Sequence, residues 1–105
     1  MKFTTLIPTT RNDGRPVKPD VLERIIDGLW RPFRAMTKEG FVTGRWIDDD
    51  GTEFTDVCIK VFIDCDRNRL FEAIKAVQRV GRRLGQRAMY FEVDGYDGVQ
   101  ILRID

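Results

Sequence analysis

The sequence contains no histidine and no serine. Without histidine there is no His-ligated metal site and no histidine general base. The two absences together exclude a Ser–His triad and a Cys–His dyad. Cysteine is scarce as well: Cys58 and Cys65 stand seven positions apart, and neither belongs to a CxxC pair. We therefore predict two reduced thiols, no metal site and no cofactor.

Long hydrophobic runs are also missing. The apolar stretch near the N-terminus stops at Pro8, short of the roughly 7–15 residues that a signal peptide core needs. No run approaches the roughly 20 residues that span a bilayer. We therefore expect a cytoplasmic protein that makes no membrane contact.

Charge of one sign is not in excess, because 18 basic residues face 17 acidic ones and the net charge is +1. The whole chain thus has no electrostatic bias toward nucleic acid or anionic lipid. The 105 residues, 42% apolar and 33% charged, are typical of an ordered chain of single-domain size. We predict one domain over residues 1–105.

The first third of the sequence predicts a strand, a loop and a helix. An alternating pattern of side chains predicts a strand over Lys2–Pro8. Turn residues and prolines predict a loop over Thr9–Lys18. Asp20, with Glu23 three positions on, is typical of a helix N-cap. Pro32 is expected to kink or end this helix near Arg31. Its apolar residues recur at spacings of three and four: Val21, Leu22, Ile25, Ile26, Leu29, Trp30, Phe33 and Met36.

A hairpin should follow, with strands over Phe41–Ile47 and Phe54–Asp64 around an Asp-Gly turn. In the second strand the alternation separates two sets of side chains. One set is β-branched and predicted to face the core: Val57, Ile59, Val61 and Ile63. The other set is predicted to face the opposite way: Cys58, Lys60, Phe62 and Asp64.

The last third predicts a helix from Asp66 or Arg67 to Leu84, then strands over Arg87–Val93 and Val99–Ile104. The apolar stripe of this helix is expected to face the core and to consist of Leu70, Ile74, Val77, Gly81 and Leu84, with Phe71, Ala73 and Val80 at its margins. Gly81 suggests a close approach to a strand, and Gly85 suits a left-handed C-cap. The order β-α-β-β-α-β plus a terminal strand predicts an α+β, ferredoxin-like plait with an antiparallel sheet.

Basic residues cluster late in the second predicted helix and just after it, and no acidic residue lies between Glu72 and Glu92. The cluster is Lys75, Arg79, Arg82, Arg83 and Arg87. One interpretation is an anion-binding surface for phosphate, nucleic acid or an acidic protein surface. The other is a solvated helix face whose cations favour the helix C-terminus.

Acidic residues cluster on the predicted hairpin: Asp48, Asp49, Asp50, Glu53 and Asp56. Three consecutive aspartates do not match the D-x-D-x-D-G spacing of a calcium loop, so we favour a turn over a cation site. An acidic hairpin and a basic helix on one chain also suggest that two copies dock by complementary charge.

The open face of the predicted sheet carries aromatic residues. Trp46, Phe62 and Tyr90 fall on the registers opposite the core set. We favour a homodimer that packs sheet to sheet through this face. Stacking of RNA bases is the alternative, although the consensus strings of RNA-recognition modules are absent.

Catalytic groups are few, and the same face holds the best candidates. Glu92, Tyr90 and Lys60, with Trp46 beside them, suggest a small cofactor-free enzyme built around an apolar cavity. A structural interpretation is a cross-strand pair of Lys60 and Glu92. We regard a non-catalytic binding module as the leading prediction: the open face self-associates and the basic helix contacts an anionic partner.

Two strings carry a loose resemblance. Thr43–Trp46 with its Asp-Gly turn, and Leu84–Tyr90 entering a strand, resemble small uncharacterised bacterial α/β proteins. That resemblance implies no activity and no catalytic residues. The predicted fold is also similar to dimeric α+β-barrel proteins, some of which are monooxygenases or isomerases, and this implies face-to-face pairing of sheets.

Overall fold

A computed structural model describes residues 1–95 and 99–104, and this part contains two α-helices and five β-strands. Single 3₁₀ turns at Arg31–Phe33 and Arg67–Arg69 flank the helices. The elements follow in this order: β1 (Lys2–Pro8), α1 (Pro19–Trp30), β2 (Thr37–Ile47), β3 (Glu53–Asp64), α2 (Leu70–Arg83), β4 (Ala88–Val93) and β5 (Val99–Arg103). The middle of the predicted connection, at 96–98, lies outside the described residues.

The five strands form one sheet in the order β2-β3-β1-β4-β5, and every neighbouring pair is antiparallel. The first four strands have the order of a ferredoxin-like plait, and β5 extends the sheet beyond β4. The predicted fold class, including the added C-terminal strand, is therefore confirmed. Neither described helix is both long and apolar enough to cross a membrane.

The core lies between the helices and one face of the sheet. Phe3, on the central strand β1, is fully buried, with its ring 5.5 Å from that of Phe33 and 5.6 Å from that of Phe91. Ile59, Val61 and Ile63 of β3 are buried as predicted. The other members with the least exposure are Ile7, Ile26, Leu29, Val77, Leu84 and Ala73.

Helix α1 begins one residue before the predicted N-cap. Lys18 is the N-cap and makes no side-chain capping bond, so the prediction of Asp20 as N-cap is wrong. Pro19 explains the shift, because the first helical residue needs no N–H and proline presets its φ. The helix ends at Trp30, and Pro32 lies within the 3₁₀ turn that follows, as its position predicted.

Helix α2 begins at Leu70, later than predicted, because Arg67–Arg69 forms a 3₁₀ turn first. Ala73 and Val80, predicted at the margins of its apolar stripe, are buried. Its C-terminus follows the prediction. Gly85 has φ +65°, and Gln86 N donates to Gly81 O at 2.8 Å, which satisfies a carbonyl of the last turn.

Strand β2 begins at Thr37, before the predicted start at Phe41, and carries a β-bulge. Lys38 pairs with Val61 and Gly40 with Lys60, so Glu39 is the extra residue. The φ of Gly40 is +108°, a value that favours glycine.

The β2–β3 hairpin extends past the rest of the sheet. Strand β1 pairs with β3 only as far as Cys58, so residues 53–57 have β2 as their sheet neighbour. We call residues 43–57, with the turn at 48–52, the arm. Val57 lies in the arm, beyond the helices, and is 46% exposed. Its predicted place in the core is therefore wrong.

Replacing either of two helical glycines by alanine should change the free energy of unfolding, but in opposite directions. A Cβ on Gly81 would lie 2.8 Å from Met89 Cγ, and Met89 is only 2% exposed, so it has little room to move. We expect Gly81→Ala to lower the free energy of unfolding by roughly 1 kcal/mol or more, because overpacking exceeds the gain in helix propensity.

Gly28→Ala is the matched control, because a Cβ there meets only Arg83 Nη1, at 4.0 Å. This change should raise the free energy of unfolding by about 0.5–1 kcal/mol. Urea denaturation of both variants measures the two values. Equal stabilisation by both alanines would contradict the close approach of α2 to β4.

Candidate functional site

The open face of the sheet, opposite the helices, holds a shallow depression of about 350 Å³. Its position follows from the strand register: Thr4 of β1 lies between Phe62 and Glu92, and Leu6 lies beside Lys60. The lining residues come from β1 to β4 and the turn after β4: Lys2, Thr4, Glu39, Lys60, Glu92, Val93, Asp94 and Gly95.

Lys60 and Glu92 both line this depression, as their predicted register requires. They are not direct cross-strand partners, because β1 lies between β3 and β4. The ion pair of Lys60 is instead with Glu39, at 3.5 Å between Nζ and Oε2. The predicted Lys60–Glu92 pair is therefore wrong, since the bulge places Glu39 nearer to the ammonium.

Tyr90 is half-buried beside these two charges. Partial burial raises the pKa of its phenol, and the negative charge of Glu92 adds to the rise, while Lys60 opposes it. The phenol therefore stays protonated at neutral pH and can donate a hydrogen bond. The structure thus brings Lys60, Tyr90 and Glu92 together, although their catalytic role remains a prediction.

Four polar residues of the depression were missed by sequence reasoning: Lys2, Thr4, Glu39 and Asp94. Asp94 Oδ1 accepts from the backbone N–H of Lys2 at 2.6 Å, across 92 positions of sequence. Such a contact leaves no local signal. For Glu39 a local signal was available in the sequence, because a glycine inside a strand pattern, here Gly40, indicates a bulge.

The charges of the depression are mixed. Lys2 and Lys60 contribute two positive charges, and the three carboxylates of Glu39, Glu92 and Asp94 contribute three negative ones. The net charge of these five side chains is therefore −1.

Two of the predicted open-face aromatics contact other side chains of this chain. Trp46 stacks on Phe54 in the arm, with ring centroids 4.4 Å apart, and its Nε1 donates to Asp56 Oδ2 at 3.0 Å. Phe54 lies six residues before Lys60, roughly 20 Å along the strand, so Trp46 does not join the Lys60 group. Phe62 is half-buried beneath Lys2, whose Nζ lies 4.8 Å from the ring centroid.

The predicted cavity is therefore different in character. Its predicted lining was apolar and included Trp46, but the lining of the depression is mostly charged. Apolar exposure on this face lies at its borders, where Ile101 is 63% exposed and Trp46 is 48% exposed. Association of two copies through this face remains a prediction.

The five residues of the basic cluster are all exposed, and they lie on α2 and in the loop that follows it. Lys75 Nζ lies 5.1 Å from the ring centroid of Phe71, one helical turn away. The backbone carbonyl of Arg83 accepts from Arg11 Nη1 at 2.9 Å, which ties the loop after β1 to the end of α2. An anion-binding role for the cluster remains a prediction.

The turn of the acidic hairpin uses its carboxylates internally. Asp48 Oδ1 accepts from the backbone N–H groups of Asp50 and Thr52, at 3.1 and 3.0 Å. Hydrogen bonding with Asp48, followed by that from Thr52, lowers the pKa of Asp50 to about 2. Among residues 1–95 and 99–104, no group of three or more metal-binding side chains converges.

Both cysteines are free thiols. Burial, with a smaller contribution from Asp56, raises the pKa of Cys58 to about 11. Burial also raises the pKa of Cys65. The two thiols are therefore protonated at neutral pH and are poor nucleophiles.

The fold is similar to two solved structures of a phage SAM lyase. The structure in complex with S-methyl-5′-thioadenosine has a TM-score of 0.64 and 8% identity, over 97% of this chain and 88% of that one. The structure in the apo state has a TM-score of 0.60 and 10% identity, over 97% and 87%. No family model and no curated protein matches the sequence. At these identities the likeness shows a shared fold.

Proposed function

We propose that this protein is a small cofactor-free enzyme that cleaves S-adenosylmethionine (SAM) and releases S-methyl-5′-thioadenosine at the open-face depression. The observation that carries the proposal is the likeness to the SAM lyase over 97% of this chain and 88% of the lyase chain. Because almost all of both chains is matched, the comparison concerns the whole architecture rather than one recurring motif.

The charges of the depression support this substrate. SAM carries an α-ammonium, a carboxylate and a sulfonium, so its net charge is +1. The depression carries two cations and three carboxylates, so its net charge is the opposite. We assign Glu92 to the α-ammonium and Lys60 to one carboxylate oxygen, because charge-assisted hydrogen bonds are the strong ones. Tyr90 does not line the depression but neighbours Glu92 and Lys60, and we assign its ring to the sulfonium, since aromatic faces attract cations.

The reaction needs no group that this chain lacks. The free oxygen of the substrate carboxylate attacks the γ-carbon of its own side chain, and the bond from that carbon to sulfur breaks. Sulfur keeps the electron pair and becomes the neutral thioether of S-methyl-5′-thioadenosine. The remainder is a cyclic ester, homoserine lactone, which keeps the ammonium. Atoms and charge balance without water, oxidant or a net proton transfer.

The chemical contribution of the protein is therefore positional. An intramolecular attack is accelerated when both reacting ends are held in the productive geometry. Lys60 and Glu92 lie on the two strands that flank β1. Glu92 is paired with Thr4 of β1, and Lys60 is paired with Leu6, two residues further along. Two charges fixed in this way are suited to bending the short aminobutyrate chain of the substrate toward its own γ-carbon.

The test is a direct assay of turnover. Purified protein is incubated with SAM, and both products are quantified by liquid chromatography and mass spectrometry. We expect S-methyl-5′-thioadenosine to accumulate at a rate proportional to protein, together with the lactone. S-adenosylhomocysteine, which lacks the sulfonium charge, is the control compound and should remain intact.

Three outcomes are distinguishable. The proposal would be wrong if SAM were cleaved no faster than in protein-free buffer and calorimetry showed no binding of S-methyl-5′-thioadenosine. Binding without cleavage would reject the enzyme and return the chain to the class of non-catalytic binding modules. A four-carbon product other than the lactone would retain the lyase and reject the intramolecular attack.

A further inference from the structure

Two groups of opposite charge, most of them exposed, lack ion-pair partners among the residues that the structure describes. The acidic group is on the arm: Asp48, Asp49, Asp50, Glu53 and Asp56. The basic group is on and just after α2: Lys75, Arg79, Arg82, Arg83 and Arg87. None of these ten side chains forms an ion pair with any residue of 1–95 or 99–104. Within the described residues each group therefore carries five charges without an ion-pair partner, and on the arm Asp48, Asp50 and Asp56 accept hydrogen bonds instead.

Large apolar side chains lie exposed within both groups. On the arm, Ile47 is 65% exposed directly before the turn aspartates, and Phe41 at the arm's base is 73% exposed. On α2, Phe71 is 70% exposed at the start of the basic group. Exposed apolar area of this kind is unfavourable in water, at about 25 cal/mol per Å². Each surface thus offers an apolar anchor beside its charges.

The two surfaces are similar in length. The helix positions Phe71, Lys75, Arg79 and Arg82 follow each other at spacings of four, four and three, so they form one stripe of roughly 16 Å. The part of β3 that lies in the arm, residues 53–57, spans roughly 14 Å. Ile47 pairs with Glu53 across the hairpin, so both lie on the arm face that looks toward the helix side. Arg45 lies on the same face.

We propose that the arm of one copy of this chain docks along the basic stripe of α2 in a second copy. Charge complementarity identifies the occupant: the stripe carries three cations, Lys75, Arg79 and Arg82, whereas the turn and the helix-side face of the arm carry four carboxylates against the single cation of Arg45. Docking also relieves the repulsion among the stripe cations, which stand one turn apart. Because the contact joins two different surfaces, copies associate reciprocally as a pair or head to tail as a closed ring.

A charge-exchange experiment tests this contact. The arm variant is Asp49→Lys with Glu53→Lys, whose side chains form no hydrogen bond or ion pair in the described part of the chain. The helix variant is Arg79→Glu with Arg82→Glu. We expect the wild type to exceed the 12.2 kDa of one chain by light scattering, at about 100 µM protein and low salt. Each variant alone should run as a monomer with an unchanged circular dichroism spectrum.

An equal mixture of the two variants is the decisive sample. The reversed arm of one variant then meets the reversed helix of the other, and the remaining pair of surfaces is wild type, so we expect the assembly to return. A monomeric wild type would overturn the proposal, as would variants that keep the wild-type mass. If Ile101→Asp on the open face abolishes the assembly while both charge variants keep it, the copies associate sheet to sheet and the arm does not dock.

Discussion

Phe3→Ala is expected to lower the free energy of unfolding by about 3–5 kcal/mol, the usual cost of removing a buried phenylalanine ring. Phe3 is fully buried on the central strand, and its ring contacts those of Phe33 and Phe91. The alanine would remove an aromatic contact from each of these rings. The lost contacts connect β1, the 3₁₀ turn after α1 and β4, so no single element can close the resulting cavity.

This cost is a large share of what holds such a domain together, because total stabilities are typically about 5–15 kcal/mol. For about 100 residues, each 1 kcal/mol corresponds to roughly 4–8 °C in Tm. We therefore expect the Tm of Phe3→Ala to fall by about 12 °C or more, measured by circular dichroism with urea denaturation in parallel. Phe71→Ala is the matched control: its ring is 70% exposed, and its effect should stay within about 0.5 kcal/mol. A loss below about 1 kcal/mol for Phe3→Ala would contradict this core.

The core was predictable wherever a strand runs beneath the helices. Alternation in β3 identified Ile59, Val61 and Ile63, and all three are buried. The same alternation failed at Val57, because a period of two shows which face a residue occupies but not where the neighbouring strand ends. That end is set by the length of β1, which reaches only to the partner of Cys58. The arm is therefore a tertiary feature that no local pattern contains.

The candidate site was predictable to the same limited degree. The sequence placed Lys60 and Glu92 on the open face because each alternates with core residues on its own strand. Glu39 was missed because the bulge at Gly40 changes the register of β2. Asp94 and Lys2 were missed because their contact joins the two ends of the chain. Local residue types predicted single positions, whereas the cluster depends on strand order and register.

Glu92→Gln should separate binding from chemistry in the proposed reaction. Glu92 is assigned to the α-ammonium of SAM, and that ammonium keeps its charge throughout the reaction. The carboxylate therefore stabilises the bound substrate and the transition state equally. Removing such uniform binding raises KM and leaves kcat nearly unchanged. We expect KM for SAM to rise about 10- to 100-fold, because a hydrogen bond to a charged group contributes roughly 1.5–3 kcal/mol.

Steady-state assays of S-methyl-5′-thioadenosine release measure both constants. Glu23→Gln is the matched control, since Glu23 lies on the exposed side of α1 with Lys38 4.0 Å away, apart from the depression. It should leave both constants unchanged. A fall in kcat at constant KM would contradict the assignment, because it would mean that Glu92 acts on a group whose charge changes in the transition state. The sulfonium is such a group, because it alone loses its positive charge as the bond to carbon breaks.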